Sequence, residues 1–404
     1  MMLGFLLARA GVDVWVLEKH ADFLRDFRGD TIHPSTLEVM HELGLLDEFL
    51  QRPHQEVPQL TGQIGDVSLT IADFSHLPTR CKFIALMPQW EFLNFLAQQA
   101  QRYPTFHLRM EAEVTGLTER EGQIVGVEAT TPSGPLQVEA ELTVGADGRN
   151  SIVRQRAGLV VEDLGAPIDV LWMQLSKLAG DRNQTLGRIV AGRIFVMIDR
   201  GDYWQCAYVI RKGGIEEVRK KGLAAFRSDI VALAPDLKGR VEELRDWNDI
   251  KLLTVRVDRL KTWYRPGLLC IGDAAHAMSP VGGVGINLAI QDAVAAGNIL
   301  AGPLGGGTLT TGDLEAVQKR REFPTRLVQR AQVFIQTRVM GSVLANTGQP
   351  IPLPRVLKLI RRWPWLRRIP AYLVGVGVRP EHVRVPAAAP KSVSPPEQPV
   401  GLPR

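Results

Sequence analysis

Residues 267–293 read GLLCIGDAAHAMSPVGGVGINLAIQDA, and this stretch decides the fold. Its apolar start predicts a short buried strand that delivers Asp273 to the strand's carboxyl end. Gly282, Gly283 and Gly285 then expose backbone N–H groups where a helix is predicted to begin. The first N–H groups of a helix have no partner within it, so this loop favours an electron-rich or anionic ligand. The stretch therefore predicts a ligand-binding edge of an α/β sheet.

A second strand, turn and helix are predicted at residues 144–154, which read VGADGRNSIVR. The tight turn places Asp147 and Gly148 where the backbone approaches a ligand closely, because glycine has no side chain to block that approach. A generic strand-turn-helix can contain an Asp-Gly pair by chance, but the complete sequence of residues 144–154 is much rarer by chance and therefore favours a ligand-binding turn.

The chain opens on what we interpret as the second half of a βαβ unit. Residues 1–10 have an apolar helical pattern, Gly11 suits a helix C-terminus, and residues 12–17 alternate as a strand that ends at Glu18. Such a carboxylate binds ribose hydroxyls and follows the glycine-rich phosphate loop by about 20 residues. We therefore expect the first strand and the GxGxxG loop to be missing before residue 1, with Gly4 allowing close helix-strand packing. The alternative is an ordinary buried strand that meets solvent.

In order and spacing, these motifs resemble the para-hydroxybenzoate hydroxylase-like FAD monooxygenases over about residues 1–344. The resemblance rests on Asp147-Gly148, on Gly272-Asp273 and on PVGGVGIN at 280–287. It implies an α/β fold in which a Rossmann-like, dinucleotide-binding FAD domain carries a smaller β-rich substrate domain. This chain would lack the family's first strand and GxGxxG loop.

The resemblance also implies individual contacts to FAD. Asp273 would hydrogen-bond the ribityl chain, Glu18 the adenosine ribose, and Asp147 would serve both FAD and the nicotinamide cofactor. The complete set of implied FAD-binding residues is Glu18, Arg28, Gln89, Asp147, Gly148, Gly272, Asp273, Pro280, Gly282, Gly283, Gly285, Ile286 and Asn287. Reduced flavin in this family forms a hydroperoxide with O2 and transfers one oxygen atom to an activated ring, so no catalytic protein nucleophile is required.

The implied function is hydroxylation of a phenol-like or polycyclic aromatic substrate by a cytoplasmic oxidoreductase, with NADH or NADPH as transient reductant. Other readings stay open: a reductase or halogenase on the same scaffold, or a truncated flavoprotein remnant with little activity. A halogenase would carry Trp-x-Trp-x-Ile, whereas Trp363 and Trp365 alone have that spacing and lie in the wrong region. A plain NAD-dependent dehydrogenase has no role for the Gly272-Asp273 motif.

Composition excludes several other classes. The 404 residues, 45% hydrophobic and 23% charged, are ordinary for a globular protein, and the net charge of +5 is too mild to indicate nucleic acid. The three cysteines lie far apart, so we expect reduced thiols and no metal site. We expect no signal peptide and no membrane span. Residues 353–378 mix tryptophan and arginine as an interfacial helix does, but Pro354, Pro364 and Pro370 interrupt the pattern.

The domain division follows from the order of the predicted elements. We predict a discontinuous FAD-binding domain at 1–57, 78–165 and 254–345, a β-rich substrate domain at 58–77 and 166–253, a helical extension at 346–385 and a disordered tail at 386–404. Helical patterns cover 37–50, with Ser35 or Thr36 as the cap, then 285–300 and 314–344, and a glycine hinge is expected at 302–312. The pattern does not indicate an oligomeric state.

Several aromatic residues and histidines have two interpretations. Trp172, Met173, Trp204 and Tyr208 lie on predicted strands of the second domain and face either substrate or core. His276 follows Asp273 by three residues, and we interpret it as a packed histidine satisfied by the backbone rather than as a catalytic base. We interpret His33 and His41 as structural or surface residues.

Overall fold

A computed structural model describes residues 1–24, 31–181, 186–190, 192–346 and 353–387. Arg28 and the predicted tail beyond residue 387 lie outside the described residues. The strands are β1 Val14–Leu17, β2 Thr31–Ile32, β3 Gln55–Val57, β4 Gln59–Ile64, β5 Val67–Asp73, β6 Ile84–Leu86, β7 Phe106–Arg109, β8 Glu113–Arg120, β9 Gln123–Thr131, β10 Gly134–Glu139, β11 Thr143–Gly145, β12 Val161–Asp163, β13 Ile168–Ser176, β14 Leu186–Val190, β15 Arg193–Asp199, β16 Tyr203–Arg211, β17 Lys251–Leu253, β18 Asp258–Leu260, β19 Tyr264–Arg265 and β20 Leu268–Cys270. The helices are α1 Met2–Arg9, α2 Pro34–Glu42, α3 Leu46–Phe49, α4 Gln89–Ala100, α5 Ile152–Arg156, α6 Ile215–Lys221, α7 Leu223–Leu233, α8 Gly285–Gly305, α9 Thr311–Phe334, α10 Gly341–Ala345, α11 Arg355–Arg362 and α12 Arg368–Gly375.

The largest sheet has seven strands in the order β17-β13-β16-β15-β14-β4-β5. Its strands are antiparallel except where β14 pairs with β4 in parallel. Successive side chains of a strand point to opposite faces, and here both faces are buried. One face carries Leu171, Phe195 and Tyr208 and packs with Phe226 and Ile230 of α7. The other face is turned towards a large cavity.

Two parallel pairings organise the second part of the fold. β1 pairs with β7, and β11 pairs with β20 so that Gly145 lies opposite Cys270. The buried helix α8 packs against α1, which in turn packs against β1. A Cβ on Gly4 would lie 2.8 Å from Cγ2 of Val16, so the close helix-strand packing predicted at this glycine is confirmed.

The predicted helix over 37–50 is wrong in two respects. It begins earlier, at Pro34, with His33 rather than Ser35 or Thr36 at the N-cap position. It also divides into α2 and α3, because the chain turns at Gly44. Proline suits the first helical position, where its missing N–H would have no partner, and this explains the earlier start.

The predicted glycine hinge at 302–312 is mostly helix. α8 continues through Pro303 to Gly305, and α9 begins at Thr311. The side chain of Thr310 accepts a hydrogen bond from the backbone N–H of Asp313, and this capping box sets the start of α9. Residues 335–340 then form a π-helical turn before α10.

Helix 281–305, which includes α8, is long and apolar enough to cross a membrane by length and composition, but 72% of its apolar window is buried inside the protein. Such burial is typical of a core helix. The cysteines Cys81, Cys206 and Cys270 are free and buried, as expected. Burial raises the pKa of the Cys270 thiol to about 12, so this thiol is protonated at neutral pH.

Candidate functional site

A cavity of about 2240 Å³ lies between the glycine-rich loops and the inner face of the seven-stranded sheet. Every residue that the sequence assigned to cofactor binding lines it, apart from Arg28, which is outside the described residues, and Asn287. Ligand pockets for one small molecule are commonly about 300–1,000 Å³. This cavity therefore exceeds the volume that one small ligand needs.

The two loop motifs meet at one edge of the cavity. The parallel pairing of β11 with β20 brings the turn at Asp147 beside the turn at Asp273. Arg149 bridges the motifs, since its Nη2 lies 3.6 Å from Oδ2 of Asp273. Arg154 Nη1 donates a hydrogen bond to the carbonyl of Ala274 at 3.4 Å and pairs with buried Asp258 at 3.1 Å. The two sequence motifs therefore form one rigid wall.

The glycine loop before α8 depends on the missing side chain of Gly283. This residue has φ of +61°, and a Cβ there would lie 2.2 Å from Oγ1 of Thr31. The hydroxyl of Thr31 donates a hydrogen bond to the carbonyl of Gly283 at 2.8 Å. The neighbouring Gly282 has φ of +82°, but its nearest side-chain contact would be 3.6 Å away. The loop is thus held against β2 by a contact that only glycine allows.

Asn287 secures the same loop from behind rather than lining the cavity. Its Oδ1 accepts hydrogen bonds from the backbone N–H of His33 at 2.9 Å and from Oγ1 of Thr36 at 2.7 Å. Its Nδ2 donates to the carbonyl oxygens of Thr31 at 3.2 Å and Gly283 at 3.3 Å. Both ends of the amide are occupied, so Asn287 positions the loop.

His33 is a buried structural histidine, in agreement with the interpretation from sequence, whereas His41 is exposed on α2. The ring Nδ1 of His33 lies 2.7 Å from the carbonyl of Val374. Burial lowers the pKa of His33 to about 4, against the partial compensation of backbone hydrogen bonds. The ring is therefore neutral at neutral pH, and Nδ1–H donates to Val374.

A buried ionic cluster supports the turn at Asp273. His276 Nε2 lies 2.5 Å from Oδ2 of Asp292, and Nε of Arg321 donates to Oδ1 at 3.0 Å. The same Asp292 accepts a hydrogen bond from the backbone N–H of Gly272 at 3.1 Å. Burial opposes ionisation, but the charges and hydrogen bonds of His276 and Arg321 outweigh it and lower the pKa of Asp292.

The interpretation that the backbone alone satisfies His276 is therefore wrong, because its ring pairs with the Asp292 carboxylate. His276 is 1% exposed and does not line the cavity, so it has no access to a substrate there. Sequence reasoning missed Asp292 and Arg321, which lie on different helices. The available signal was that Asp292 is the single charged residue of α8, whereas Arg321 stands among many charged residues of α9.

Glu18 and Gln89 also line the cavity. Glu18 follows β1, where its backbone N–H donates to the carbonyl of Arg109 at 2.9 Å. Its carboxylate accepts a hydrogen bond from the backbone N–H of His20 at 3.0 Å. Gln89 is the first residue of α4 and is half-buried in the wall.

The opposite wall is the inner face of the seven-stranded sheet and differs in chemistry. We call it the sheet wall, and the strand residues that line it are Leu60, Thr61, Gly62, Gln63, Ile64, Ile71, Ile168, Val170, Trp172, Gly187, Ile189, Ile194, Val196, Ile198, Ala207, Val209 and Leu253. Not one of these residues is charged. Because Trp172 is one of the lining residues, it faces the cavity, whereas Met173, Trp204 and Tyr208 lie in the core on the other face.

The loop wall, which we define as residues 144–154 together with 272–287, has the groups that FAD requires. Asp273 offers a carboxylate for sugar-alcohol hydroxyls, and the glycine loop leaves backbone free of Cβ atoms at the cavity. Nη1 of Arg149 is buried without a hydrogen-bond partner in the described part of the chain, so it is a ready donor to a ligand oxygen. These residues fit the cofactor that the sequence indicates.

Comparison with known proteins gives consistent matches. A family model described as an FAD binding domain matches residues 1–331. The chain is 31% identical over 374 residues to 6-methylpretetramide 4-monooxygenase of Streptomyces rimosus, covering 91% of this chain and 88% of that protein.

Among solved structures, p-nitrophenol 4-monooxygenase PnpA from Pseudomonas putida DLL-E4 superposes with a TM-score of 0.73 at 19% identity, covering 92% of this chain and 93% of that one. The flavin-dependent brominase Bmp2 gives a TM-score of 0.73 at 16% identity, covering 94% and 91%. At such identities the structures show a shared fold alone, and that fold hosts more than one reaction.

Proposed function

From the premise that this chain belongs to the FAD-binding domain family of FAD-dependent aromatic monooxygenases, we propose that its substrate is an uncharged, fused-ring aromatic compound held against the sheet wall. The observation that carries the proposal is the absence of charged side chains among the described strand residues of that wall. A carboxylated or phosphorylated ring held against this wall would need a cationic partner, because a buried unpaired charge is strongly unfavourable. The arginines that line the cavity, Arg149, Arg338 and Arg355, do not belong to the strands of this wall.

The family resemblance stated from the sequence is confirmed, as are the α/β fold class and the choice of FAD as cofactor. The chain is an oxidoreductase that uses FAD, and NADH or NADPH is the reductant typical of its family. Bound FAD supplies the redox chemistry by which one atom of O2 is transferred to an aromatic ring.

Two further observations support a fused-ring substrate. The cavity of about 2240 Å³ exceeds the usual size of a single-ligand pocket, so space remains beside the cofactor for more than one ring. The relative from Streptomyces rimosus, at 31% identity, is named for 6-methylpretetramide. Among the polar groups of the wall, Nε1 of Trp172 is buried without a partner in the described chain, so it is available to donate a hydrogen bond.

We also propose which residues bind the cofactor. Asp273 accepts hydrogen bonds from hydroxyls of the ribityl chain, and Arg149 donates to an oxygen of the cofactor while it neutralises Asp273. Glu18, which lines the same cavity, binds the adenosine ribose. The N–H groups of the glycine loop, at the start of α8, stabilise negative charge that accumulates near them, because a helix N-terminus carries a partial positive charge.

The sheet wall excludes water and orients the substrate. Its branched side chains come from β13, β14, β15 and β16, and they pack into one apolar surface of the cavity. A dry surface protects a reactive oxygen species from side reactions with water. Trp172 then fixes the orientation of a ring that carries a carbonyl or hydroxyl group, by donating a hydrogen bond to it.

The first experiment is a visible absorption spectrum of the purified protein with and without added FAD. Bound flavin should be reducible by NADH or NADPH, and the rate of reduction or oxygen consumption should rise with a neutral multi-ring phenol. Mass spectrometry should then show a product heavier by one oxygen atom. Stimulation by 4-hydroxybenzoate but not by any neutral fused-ring phenol would contradict the proposed substrate class. A protein that takes up no FAD would support the alternative of an inactive flavoprotein remnant.

We propose that the protein acts in the cytoplasm, where NADH and NADPH are supplied.

We also propose that segments 58–77 and 166–253 form the substrate domain, because the seven-stranded sheet takes all its strands from these two segments. Exchange of these two segments with those of a relative should transfer substrate preference without changing flavin binding.

A further inference from the structure

The C-terminal helical surface, which we define as residues 353–373, is apolar on its outer side. Six of its side chains are 47–68% exposed, namely Val356, Leu359, Trp363, Trp365, Ile369 and Leu373. Exposed apolar residues are ordinary when they are scattered singly. Here they are concentrated in α11, the turn after it and α12, and both helices contact that turn.

The same region is strongly basic. Residues 323–380 contain ten lysines and arginines and no aspartate or glutamate, whereas the whole chain has 48 basic and 43 acidic residues. Arg355, Lys358, Arg361, Arg362 and Arg368 are exposed, and no ion pair of theirs occurs in the described part of the chain. The charge of this surface is therefore open to an anionic partner.

The inner side of the surface is firmly attached to the protein. Ala371 is fully buried, and a Cβ on Gly375 would lie 2.7 Å from Cδ1 of Leu77 and 3.2 Å from Phe74. These contacts belong to a core cluster that also contains Ala72 of β5. The outer apolar residues are therefore additional to those that hold the helices in place.

The three prolines interrupt the helical pattern, as expected from the sequence, and each lies at or near the start of a helical segment. Pro354 is the N-cap of α11, Pro364 begins a 3₁₀ turn, and Pro370 lies in the first turn of α12. Proline is tolerated at such positions because the first N–H groups of a helix have no internal partner. The prolines divide the segment into two short helices that lie on the same surface.

We propose that the C-terminal helical surface binds peripherally to an anionic lipid bilayer. Helices that lie in a membrane interface combine apolar and aromatic residues on one side with lysine and arginine around them. Tryptophan favours the headgroup level, and each basic residue near an anionic surface adds attraction. The absence of acidic residues over 323–380 removes the repulsion that would oppose this contact.

If the proposed function is correct, the surface lies where membrane contact would help the substrate to reach the cavity. Val356, Ile360 and Pro370 line the cavity, as does Phe334 of α9, which is 63% exposed. A bilayer on this surface would lie at the edge of the cavity. An apolar fused-ring substrate dissolves readily in lipid, so it could pass from the bilayer to the sheet wall without crossing water.

The test is sedimentation of the full-length, FAD-loaded protein with vesicles. Vesicles of phosphatidylglycerol and phosphatidylcholine in equal parts should retain the protein at low salt, and vesicles of pure phosphatidylcholine should retain much less. The double variant R361Q/R362Q should bind the anionic vesicles roughly thirtyfold more weakly, because two basic residues near the surface are lost. The matched control K220Q/K221Q removes the same charge from the exposed end of α6 and should bind as the unaltered protein does.

The apolar part is tested separately by W363A/W365A, with circular dichroism and flavin content to verify folding. This variant should also lose vesicle binding at low salt. Equal losses in the α6 control, or no retention by anionic vesicles at low salt, would overturn the proposal. A dimer in analytical ultracentrifugation that W363A/W365A separates, without vesicle binding, would assign the surface to protein association instead. Sedimentation with vesicles and analytical ultracentrifugation do not depend on catalytic turnover. A failure of the membrane proposal can therefore be distinguished from a failure of the proposed substrate class.

Discussion

The two walls of the cavity are built on different principles. In the loop wall, backbone atoms and charges are fixed by specific partners, such as Gly283 against Thr31 and Arg149 beside Asp273. In the sheet wall, side chains such as Val170 and Ile194 simply alternate along strands, so that one face is apolar. Gly283 in the loop wall has no space for a side chain, whereas Val170 and Ile194 in the sheet wall need only be apolar.

This difference has a physical origin. The loop wall must place N–H groups and carboxylates within hydrogen-bond reach of a cofactor, and small displacements are costly in catalysis. The sheet wall needs apolar area and shape, which many combinations of side chains supply. We therefore expect substitutions in the loop wall to have large effects on stability and flavin binding, and substitutions in the sheet wall to have small effects on substrate binding.

The largest effect should come from Asp292→Asn, beneath the loop wall. This change removes the charge that pairs with Arg321 and His276 and leaves a buried cation without its full partner. Removing one member of a buried ion pair typically costs about 3–5 kcal/mol, so the free energy of unfolding in urea should fall by that amount. The exposed pair Arg102–Glu48 offers the control, and Glu48→Gln should leave the unfolding curve almost unchanged. Equal curves for the two variants would show that the cluster does not support the loop wall.

Gly283→Ala should have the next largest effect. The added Cβ would lie 2.2 Å from Oγ1 of Thr31 in a backbone conformation that side chains rarely adopt. Strain and overpacking together should cost about 3 kcal/mol, which corresponds to roughly one hundredfold weaker FAD binding in a fluorescence titration. Gly282→Ala shares the positive φ, but among the described residues its Cβ would have no contact closer than 3.6 Å, so it should weaken binding far less. A similar loss in both variants would mean that backbone strain, and not the contact with Thr31, determines the loop.

The third prediction concerns His33, whose backbone N–H donates to Asn287 behind the loop wall. The free energy of unfolding should depend on pH because of this buried histidine. Its pKa is about 4 in the folded protein and 6.5 in the reference state, so the unfolded chain binds the extra proton first. Stability is therefore lost as the pH falls from about 7 towards 4, by about 2 kcal/mol at pH 5. His33→Asn, which keeps an N–H donor for Val374, should flatten this decline between pH 8 and pH 5.

The control for that change is His41→Asn on the same helix. His41 is exposed, so its removal should leave the pH dependence as it was. Urea midpoints at several pH values are sufficient for both variants. An unchanged decline in His33→Asn would mean that other groups account for the loss of stability in acid.

The same difference between the walls explains what the sequence could predict. Asp147, Gly148, Asp273 and the glycine loop, which the sequence singled out by residue type and order, line one cavity. The alternating strands of the seven-stranded sheet were also predictable from their period of two. Glycine and aspartate at a strand end leave a signal that a single sequence carries.

The rest depended on contacts between distant residues. Asp292 pairs both with His276, 16 residues earlier, and with Arg321. The second pairing arises only when α8 and α9 pack together. The face to which Trp172 points was equally undetermined, because both faces of this sheet are buried and a one-residue shift of register would exchange them. The end of α8 was missed because packing overrides the local preference of glycine and proline to end a helix.

The smallest effect should come from Trp172→Phe in the sheet wall. The Nε1 group of Trp172 has no partner in the described chain, so its loss leaves stability and flavin content unchanged. KM for a neutral fused-ring substrate should rise roughly fivefold, which is the worth of one neutral hydrogen bond of about 1 kcal/mol. Trp204→Phe is the matched control on the opposite face, where Nε1 donates to Asp181 at 2.9 Å. Trp204→Phe should lower the free energy of unfolding and leave KM unchanged. If KM instead rose in Trp204→Phe and stayed the same in Trp172→Phe, the substrate would bind elsewhere than on the sheet wall.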